Sequence, residues 1–429
     1  MSLVVLCVVL LLLFLFLSVP VASTIATVGI IIGTFFSDFP VFEAVGEITW
    51  SVSTDFLLLS IPLFVLLGEI LLHSGIAKNI YFALNKWLSW LPGGLLHANI
   101  ASSAIFSSIS GSSVATAATI TTVAMPQSEK YRYKSGFFAG SIAAGGTLGI
   151  LIPPSINLII YGFLTNTSIP KLFIAGLVPG ILLALLFMSF ILIASIIGNK
   201  TSNIKQDKVS WMERFVALKD LIPIVILFVL IMGSIYTGFA TPTESAALGV
   251  VITLIITAFK GLLNIQVLKN SIKGTMRTTG MIMFIIIAAN FLNFVLVSIG
   301  LTDDLAYFIE DLEVSKYSML LVVTLIFIIL GLFIETLSLM VITIPIIAPV
   351  MIALGFDGVW FGIYLIILIE MALITPPVGL NLYVVQGIRN KGTIVEVMKG
   401  ALPFVLIMLL MAILLVIFPQ ISLYFVDFI

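Results

Sequence analysis

The chain contains little charge and almost no cysteine or histidine. Of its 429 residues only 9% are charged, 61% are hydrophobic and the mean hydropathy is +1.29. So few charged side chains exclude an ordinary soluble globule. The formal net charge of −1 argues against a nucleic-acid partner. The single Cys7 excludes a disulfide framework or a cysteine metal site, and His73 and His97 are too few for a metal cluster. Each histidine is expected at a helix end.

The sequence also lacks nucleotide-binding and catalytic motifs. The sequence has no P-loop and no recognisable set of nucleophile, base and orienting residue, so it predicts no enzymatic function and no organic cofactor. The apolar runs, such as residues 221–235 and 317–334, are continuous rather than alternating, which indicates membrane helices rather than a β-barrel. No basic residue precedes the apolar start of the chain. Residues 1–36 therefore predict one kinked or two short membrane helices rather than a signal peptide.

An internal repeat at an offset of about 223 residues relates the two halves. The offset aligns Pro126 with Pro349, Pro153 and Pro154 with Pro376 and Pro377, and Ser112 and Ser113 with Glu335 and Thr336. Residue identity between these landmarks is low. The polar and proline-rich interruptions nevertheless occur in the same order in both halves, which predicts a duplicated architecture.

Each half contains a broken apolar stretch, residues 95–126 and 317–351, followed by a helix broken at a proline pair. Lys and Arg near membrane helices tend to stay in the cytoplasm. If both stretches are re-entrant hairpins, all basic residues except Lys171 and Lys316 lie on the cytoplasmic side, and the two halves run antiparallel. We therefore predict an all-α polytopic membrane protein, an inverted repeat with two re-entrant helical hairpins and two broken helices. This architecture is typical of secondary transporters.

The polar groups at the breaks are the candidate ligands. Hydroxyls at residues 116, 119, 121 and 122 are expected to serve helix packing, whereas Ser110 to Ser113 mark unwound backbone at depth. Carboxyl groups in membrane segments, at Glu69, Glu335 and Glu370, are candidates for function. Carbonyl, hydroxyl and amide oxygens suit Na⁺, and an anion could be held by helix N-termini. Proton coupling through one of the three carboxyl groups remains the alternative.

Four segments carry a family resemblance: Ser110 to Thr116 (SGSSVAT), Gly145 to Pro154 (GGTLGILIPP), Ile369 to Asn381 (IEMALITPPVGLN) and Ile61 to Gly68 (IPLFVLLG). They resemble the large membrane subunit of tripartite ATP-independent periplasmic (TRAP) transporters. The resemblance implies an elevator-type member of the ion-transporter superfamily in the bacterial inner membrane, driven by Na⁺. It also implies a separate small four-helix membrane subunit and a periplasmic binding protein that delivers an organic acid. Sialic acid is favoured, and a C4-dicarboxylate is the alternative.

The resemblance also implies the sites. One Na⁺ site would combine the tip of the first hairpin, Ser107 to Thr116, with Gly145 to Pro154. Another would combine the tip of the second hairpin, Glu335 to Ser338, with Thr375 to Asn381. The expected Na⁺ ligands are Ser110, Gly111, Ser112, Ser113, Gly145, Thr147, Pro153, Asn157, Glu335, Thr336, Thr375, Pro376, Gly379 and Asn381. The expected substrate ligands are Ser108, Ser110, Ser112, Ser155, Glu335 and Ser338.

The predicted organisation alternates scaffold and transport segments. Residues 1–94 and 180–316 are assigned to scaffold helices and two amphipathic arms, Lys78 to Leu91 and Asp303 to Val314. Residues 95–179 and 317–403 form the transport domain, and 404–429 a last helix. A stand-alone proton- or sodium-coupled exchanger and, less favoured, a channel remain open as alternatives.

Overall fold

The structure, a computed structural model, describes residues 2–37, 40–197, 209–301 and 315–428. All regular elements in these ranges are helices. They are α1 (Ser2–Phe16), α2 (Val21–Phe36), α3 (Val41–Ser53), α4 (Ser60–His73), α5 (Ile76–Leu88), α6 (Leu95–Ser110), α7 (Ser113–Lys130), α8 (Ser135–Leu151), α9 (Ile156–Thr165), α10 (Ile169–Ile197), α11 (Trp211–Tyr236), α12 (Pro242–Phe259), α13 (Ile265–Ser298), α14 (Lys316–Gly331), α15 (Thr336–Ala353), α16 (Gly358–Ala372), α17 (Leu380–Arg389), α18 (Ile394–Ile417), α19 (Gln420–Leu423) and a 3₁₀ turn at Val426–Phe428.

The first half contains the predicted hairpin and broken helix. Helices α6 and α7 are separated only by Gly111 and Ser112, and they pack against each other and against α8. Gly111 has a φ of 58°, a left-handed conformation that glycine adopts without strain. Helices α8 and α9 meet at a bend of 42° around Pro153 and Pro154. A proline pair removes two backbone donors, which explains why the helix breaks here.

The second half repeats this order. Helices α14 and α15 form the hairpin, and α16 and α17 are the two parts of the second broken helix, interrupted at Pro376 and Pro377. An offset of 223 residues applied to the bounds of α7 gives the bounds of α15. The duplicated architecture read from the sequence is therefore confirmed.

Many helices are long and apolar enough to cross a membrane. Six of the described helices meet this criterion singly, and the bent pairs α4–α5 and α8–α9 raise the number to eight. The predicted all-α polytopic membrane fold is confirmed. The described part of this segment, residues 2–36, contains two helices, α1 and α2, with the break at Pro20 that the sequence indicated. The sidedness of the chain stays a prediction.

The helices pack in two groups. In one group α2, α3 and α4 contact α13, and α12 joins α4 and α11; the other contains α6 to α9 and α14 to α18. Helix α10 packs against α6, α8, α16 and α18. The predicted boundary at residues 179 and 180 falls inside α10, and the domain assignment remains a prediction.

Helix α5 lies between the groups. It bends by 70° away from α4 and contacts α11 on one side and α6 and α7 on the other. Trp87 Nε1 donates to the Arg214 carbonyl at 2.9 Å, and Tyr81 Oη donates to Asn99 Oδ1 at 3.1 Å. Asn99 Nδ2 in turn donates to Ser141 Oγ on α8 at 2.9 Å. The predicted first arm is thus a helix bonded to both groups. The second arm, Asp303 to Val314, lies outside the described residues.

Two long helices have bounds that bear on the membrane spans. Lys269, Lys273 and Arg277, predicted on the cytoplasmic side, lie in α13, which has 34 residues. At 1.5 Å per residue such a helix is about 51 Å long, so its basic end can extend beyond a hydrocarbon core of about 30 Å. The last long helix, predicted over residues 404–429, begins at Ile394 and ends at Ile417.

Helices α8 and α18 bring the two halves into backbone contact. A Cβ atom built on Gly140 would overlap the backbone of Gly400, and one on Gly400 would overlap the carbonyl of Gly136. Small residues four apart let membrane helices approach this closely. At this crossing the two halves therefore meet backbone to backbone through glycines.

Candidate functional site

A cavity of about 1050 Å³ lies where the two hairpin tips face α2 and α13. Small-molecule sites commonly have volumes of about 300–1,000 Å³, so this cavity can hold a small organic molecule. The residues that the tips contribute to its lining are Ser112, Ser113, Glu335, Thr336 and Ser338, and the first broken helix contributes Asn157.

The two walls of the cavity differ in chemistry. We call the residues of the two tips and broken helices that line it the tip wall, and those of α2 and α13 the scaffold wall. The tip wall contains hydroxyls, the Asn157 amide and the Glu335 carboxyl. The scaffold wall is mainly apolar, with Ile285 and Phe291 among its members and only Ser23 and Thr278 as polar residues. Polar recognition is therefore concentrated on the tip wall.

Four helices begin at the tip wall of the cavity, and a fifth, α2, begins with Val21 on the scaffold wall. Ser113, Ile156, Thr336 and Leu380 are the first residues of α7, α9, α15 and α17, and all four line the cavity. The first turn of a helix leaves backbone N–H groups unpaired and carries a partial positive charge. Among the described lining residues there is no Lys, Arg or His. Helix N-termini are thus the source of positive potential that the described lining provides.

The two tips use the same capping geometry with different side chains. Ser112 caps α7 and accepts from Ala115 N at 3.3 Å, whereas Glu335 caps α15 and accepts from Ser338 N at 3.1 Å. Glu335 Oε2 also accepts from Ser338 Oγ at 3.1 Å. A side-chain oxygen at the N-cap satisfies an otherwise unpaired N–H group. The second tip therefore places a carboxylate where the first has a hydroxyl.

The remaining expected substrate ligands lie behind the cavity surface. Ser108 Oγ donates to the Ile105 carbonyl at 2.8 Å, and Ser110 Oγ bonds Thr116 Oγ1 at 2.9 Å. Ser155 caps α9 by accepting from Leu158 N at 3.4 Å. None of these three residues lines the cavity. Of the expected substrate ligands, Ser112, Glu335 and Ser338 do line it, and their binding role stays a prediction.

Several expected Na⁺ ligands also lie away from the cavity. Gly145 packs against Ser103 of α6, and Thr147 Oγ1 donates to the Ala144 carbonyl at 2.6 Å. Thr375 Oγ1 donates to the Met371 carbonyl at 2.6 Å. Pro153, Pro376 and Gly379 lie in the two breaks, where Gly379 has a φ of 59°. Their carbonyls remain candidate ligands, since the breaks leave backbone oxygens outside helical pairing.

Asn381 contacts the first half of the chain close to the first tip. Its Nδ2 is 3.5 Å from the Ala143 carbonyl of α8, and a Cβ on Gly146 would lie 3.3 Å from that Nδ2 and 3.0 Å from the Ser113 carbonyl. The family resemblance groups Asn381 with the second tip, and that Na⁺ site stays a prediction. Packing of α17 against α7 and α8 places Asn381 in contact with the first repeat as well.

Two buried amide atoms in this region have no hydrogen-bond partner among the described residues. These are Nδ2 of Asn157 and Oδ1 of Asn381, in side chains exposed by 2% and 0%. The Asn381 Oδ1 oxygen can accept a hydrogen bond or ligate a cation, whereas the Asn157 Nδ2 group can only donate, for example to an anionic substrate. Asn157 lies at the cavity and Asn381 beside Ser113.

The three carboxyl groups have different surroundings. Glu69 pairs with His73 Nε2 at 3.2 Å near the end of α4. Glu335 lines the cavity. Glu370 is buried in α16 and accepts from Ser113 Oγ at 2.6 Å. Both histidines lie near helix ends as expected, His73 closing α4 and His97 in the first turn of α6.

Sequence reasoning missed the scaffold wall. Its residues belong to ordinary apolar stretches of α2 and α13, which carry no motif or break. It also missed the contact between Ser113 and Glu370, which are separated by 257 residues. The only available signal was the ionisable character of Glu370 itself.

Comparisons with known proteins concern the family and the fold of the chain. The family model described as the tripartite ATP-independent periplasmic transporter, DctM component, matches residues 8–421. The C4-dicarboxylate TRAP transporter large permease protein DctM of Vibrio cholerae is 34% identical, with 94% of this chain and 93% of the relative covered. The sialic acid TRAP transporter large permease protein SiaM of the same species is 32% identical, with 86% of each chain covered.

A solved structure shares the fold. The YdaH transporter of Alcanivorax borkumensis superposes with a TM-score of 0.63 at 14% identity, covering 95% of this chain and 98% of that one. At this identity the likeness concerns the fold alone. The family match over nearly the whole chain, the permease relatives and the duplicated hairpin fold lead to one conclusion: the chain belongs to the DctM family of TRAP transporter large permeases.

Proposed function

We propose that this protein carries out Na⁺-coupled secondary active uptake of an organic acid across the bacterial inner membrane. A small four-helix membrane subunit would complete the permease, and a periplasmic binding protein would deliver the substrate. The observation that carries the proposal is the convergence of four helix N-termini, those of α7, α9, α15 and α17, on one cavity. Such termini bind carboxylates through free N–H groups and the helix dipole.

Charge balance supports a role for a cation. An anionic substrate would enter a cavity whose described lining contains the Glu335 carboxyl and no basic side chain. Like charges repel strongly where water is excluded. Na⁺ held by hydroxyl, amide and backbone oxygens near the tips would offset this repulsion. The substrate would then bind well only after the cation, which is the basis of coupling.

The identity of the acid is open between two classes. The C4-dicarboxylate and sialic acid relatives are 34% and 32% identical to this chain, a difference too small to choose between them. Sialic acid is the first candidate from the sequence, and the cavity volume of about 1050 Å³ accommodates either molecule.

Uptake into liposomes tests the function directly. Liposomes containing this chain and its small subunit would receive labelled sialic acid or succinate, with and without a cognate binding protein and an inward Na⁺ gradient. We expect one acid to accumulate only when both are present. Accumulation without binding protein would indicate a stand-alone exchanger. Flux indifferent to Na⁺ would overturn the coupling.

We further propose an elevator movement of the tip wall along the scaffold wall. An apolar scaffold wall offers few hydrogen bonds to the substrate, so bound substrate would travel with the tip wall. Ser37 Oγ and Ser298 Oγ are 3.3 Å apart at the ends of α2 and α13, within the predicted scaffold. A Cβ on Gly68 of α4 would lie 3.0 Å from Ser110 Cα at the first tip.

Two pairs of introduced cysteines, each in a Cys7→Ala background, test the movement. One pair links two scaffold residues, and the other links the scaffold to the first tip. Oxidation of Ser37→Cys/Ser298→Cys should leave transport unchanged, because both residues belong to the scaffold. Oxidation of Gly68→Cys/Ser110→Cys should stop the transport that the same variant retains when it is kept reduced; that reduced variant is the reference, because Ser110 is an expected ligand and Gly68 has little room for a side chain. Comparison with it controls for the effect of the substitutions themselves. Full transport through the oxidised second pair would contradict the movement.

A further inference from the structure

We propose that α5 and α11 form a binding site for the phosphate headgroup of an anionic phospholipid. The site, which we call the α5–α11 corner, consists of Lys86, Trp87, Trp90, Trp211, Arg214 and Phe215. It contains three of the five tryptophans of the chain. Tryptophan is enriched where membrane helices leave the hydrocarbon core, because its ring is apolar and its N–H group is polar. The corner therefore has the composition of a surface at headgroup level.

The length of α11 places the corner at the edge of the membrane. Helix α11 has 26 residues, and its charged side chains all lie in the segment from Glu213 to Asp220. At 1.5 Å per residue the helix is about 39 Å long, against a hydrocarbon core of about 30 Å. The apolar remainder, residues 221–236, occupies the core, so the charged start of α11 extends beyond it.

Two contacts of Trp87 fix the start of α11 against the end of α5. The Trp87 Nε1 group donates to the Arg214 carbonyl at 2.9 Å. The rings of Trp87 and Phe215 meet edge to face, with centroids 6.0 Å apart. Both contacts are made within the protein, so the corner is formed before any ligand binds.

The Arg214 side chain has hydrogen-bonding capacity that the protein does not use. Its guanidinium lies over the ring of Trp211, with Cζ 4.9 Å from the ring centroid. The buried Nε atom has no hydrogen-bond partner in the part of the chain that the structure describes. A guanidinium offers five N–H donors in a plane and matches the oxygens of a phosphate group. Arg214 is thus oriented by an aromatic ring while its donors remain available to an anion.

The two acidic side chains of α11 are engaged with other partners. Glu213 Oε2 accepts from the Ser210 N–H group at 2.8 Å, which closes the cap of the helix. Asp220 pairs with Lys260 at 2.9 Å. The ion pairs among the described side chains do not include Arg214. The positive charge of Arg214 is therefore not neutralised by a neighbouring carboxylate.

The surroundings of Arg214 favour a lipid over a free anion. Trp90, Trp211 and Phe215 each expose more than half of their surface. No acidic residue occurs between residues 70 and 128, a range that includes α5 and Lys86. Basic residues at the membrane surface attract anionic lipids. An anionic phospholipid presents a phosphate and two acyl chains at the same depth, which fits a guanidinium bordered by exposed aromatic rings.

Native mass spectrometry of the complex with its small subunit tests the site without a transport assay. Wild type should bind phosphatidylglycerol more tightly than phosphatidylcholine. Arg214→Gln should weaken phosphatidylglycerol binding about fivefold, as expected for one basic residue at a membrane surface, and leave phosphatidylcholine binding unchanged. Lys171→Gln, which removes an exposed charge from the first turn of α10, is the matched control and should bind as wild type does. Equal affinities of Arg214→Gln and wild type would overturn the proposal.

Two further titrations separate a shaped site from general attraction. Arg214→Lys keeps the charge but removes the planar set of donors, so its affinity for phosphatidylglycerol should also fall. An unchanged affinity would show that only net charge matters and would overturn the assigned site. Inorganic phosphate, which has no acyl chains, should not displace the lipid. Displacement would identify a site for free anions and would equally overturn the lipid site.

Tryptophan fluorescence locates the bound lipid. Brominated acyl chains quench nearby tryptophans, and brominated phosphatidylglycerol should quench wild type more than brominated phosphatidylcholine does. This excess should decrease in Trp211→Phe and persist in Trp50→Phe, since Trp50 is an exposed tryptophan of α3 outside the corner. Equal decreases in both variants would place the lipid elsewhere and contradict the proposal. This readout remains available if Arg214→Gln fails to fold.

The small subunit is the competing occupant of the corner. If phosphatidylglycerol bound this chain alone but not the complex, the corner would be a protein interface and the lipid site would be overturned. Because both α5 and α11 contribute residues, a bound lipid would also join the predicted arm to α11. Combined with the proposed function, on which this step rests, phosphatidylglycerol should speed wild-type uptake in phosphatidylcholine liposomes more than uptake by Arg214→Gln. Failure of Na⁺ coupling in wild type would overturn the proposed function and leave the binding result untouched.

Discussion

Gly140 of α8 and Gly400 of α18 touch through their backbones, and no side chain fits between them. A Cβ at either position would overlap main-chain atoms of the other helix. Backbone cannot move aside as a flexible side chain can. This contact fixes how closely the two halves approach each other.

Gly400→Ala should therefore destabilise the protein. Overpacking typically costs about 1–3 kcal/mol, and a clash with backbone should place this variant at the upper end. The measurement is the thermal unfolding midpoint in detergent. Gly233→Ala is the matched control, because Gly233 lies within α11 and its Cβ would meet nothing within 4 Å. Removing a helical glycine there should be neutral or stabilising by about 0.5–1 kcal/mol. Equal midpoints for the two variants would contradict the packing argument.

Two single substitutions should each remove one of the hydrogen bonds that attach helix α5 to its neighbours. Trp87→Phe removes the donor to the Arg214 carbonyl, and Tyr81→Phe removes the donor to Asn99. Each lost bond should cost about 0.5–1.5 kcal/mol, with an additional penalty at the fully buried Tyr81 site because Asn99 Oδ1 is left unpaired. Chemical unfolding measures the cost. If α5 links a static and a moving group, both variants should also slow transport. Normal transport with reduced stability would make α5 a structural helix only.

Uncharged substitutions at the two tip caps should have different effects, on stability at the first tip and on Na⁺ dependence at the second. Ser112→Ala removes the cap of α7 and should destabilise it by about 0.5–2 kcal/mol. Glu335→Gln keeps an oxygen that can accept from Ser338 N but removes the charge. We expect Glu335→Gln to raise the half-saturating Na⁺ concentration with little loss of stability, measured as Na⁺-dependent uptake. An unchanged Na⁺ response would exclude Glu335 as a cation ligand.

Two ion pairs near the end of the second broken helix differ in burial. Lys391 and Glu129 pair at 2.8 Å with side chains exposed by 71% and 55%, whereas the Arg389 side chain, paired with Glu396, is only 3% exposed. Exposed pairs contribute about 0–1 kcal/mol, so Glu129→Gln should be nearly silent. Glu396→Gln leaves a buried guanidinium without its carboxylate and should cost about 1–3 kcal/mol. Unfolding midpoints in the reverse order would contradict this assignment.

Local sequence signals predicted the helices and their breaks but not the tertiary contacts between them. Gly111 and the pairs Pro153–Pro154 and Pro376–Pro377 break helices through their own covalent geometry, so the hairpins and broken helices could be located in advance. Contacts between the repeats, such as Asn381 beside the first tip, depend on how α17 packs against α7 and α8. No local pattern encodes that packing.

The same limit applies to the cavity. Its tip wall was predicted because serines and a carboxylate are conspicuous in an apolar stretch. Its scaffold wall consists of residues such as Ile285 and Phe291, which are indistinguishable in sequence from lipid-facing ones. Only the three-dimensional arrangement shows which apolar faces border the cavity.

The matched caps at Ser112 and Glu335 separate backbone architecture from ligand chemistry. At each tip the residue that precedes the helix accepts a hydrogen bond from the backbone N–H of the third residue after it. Either a hydroxyl or a carboxylate oxygen can accept this bond. A duplicated gene could therefore change the charge at one tip by a single substitution while the loop kept its shape. Descendants of one ancestral permease could in this way acquire different cargoes, and the position of the cap marks where such divergence would begin.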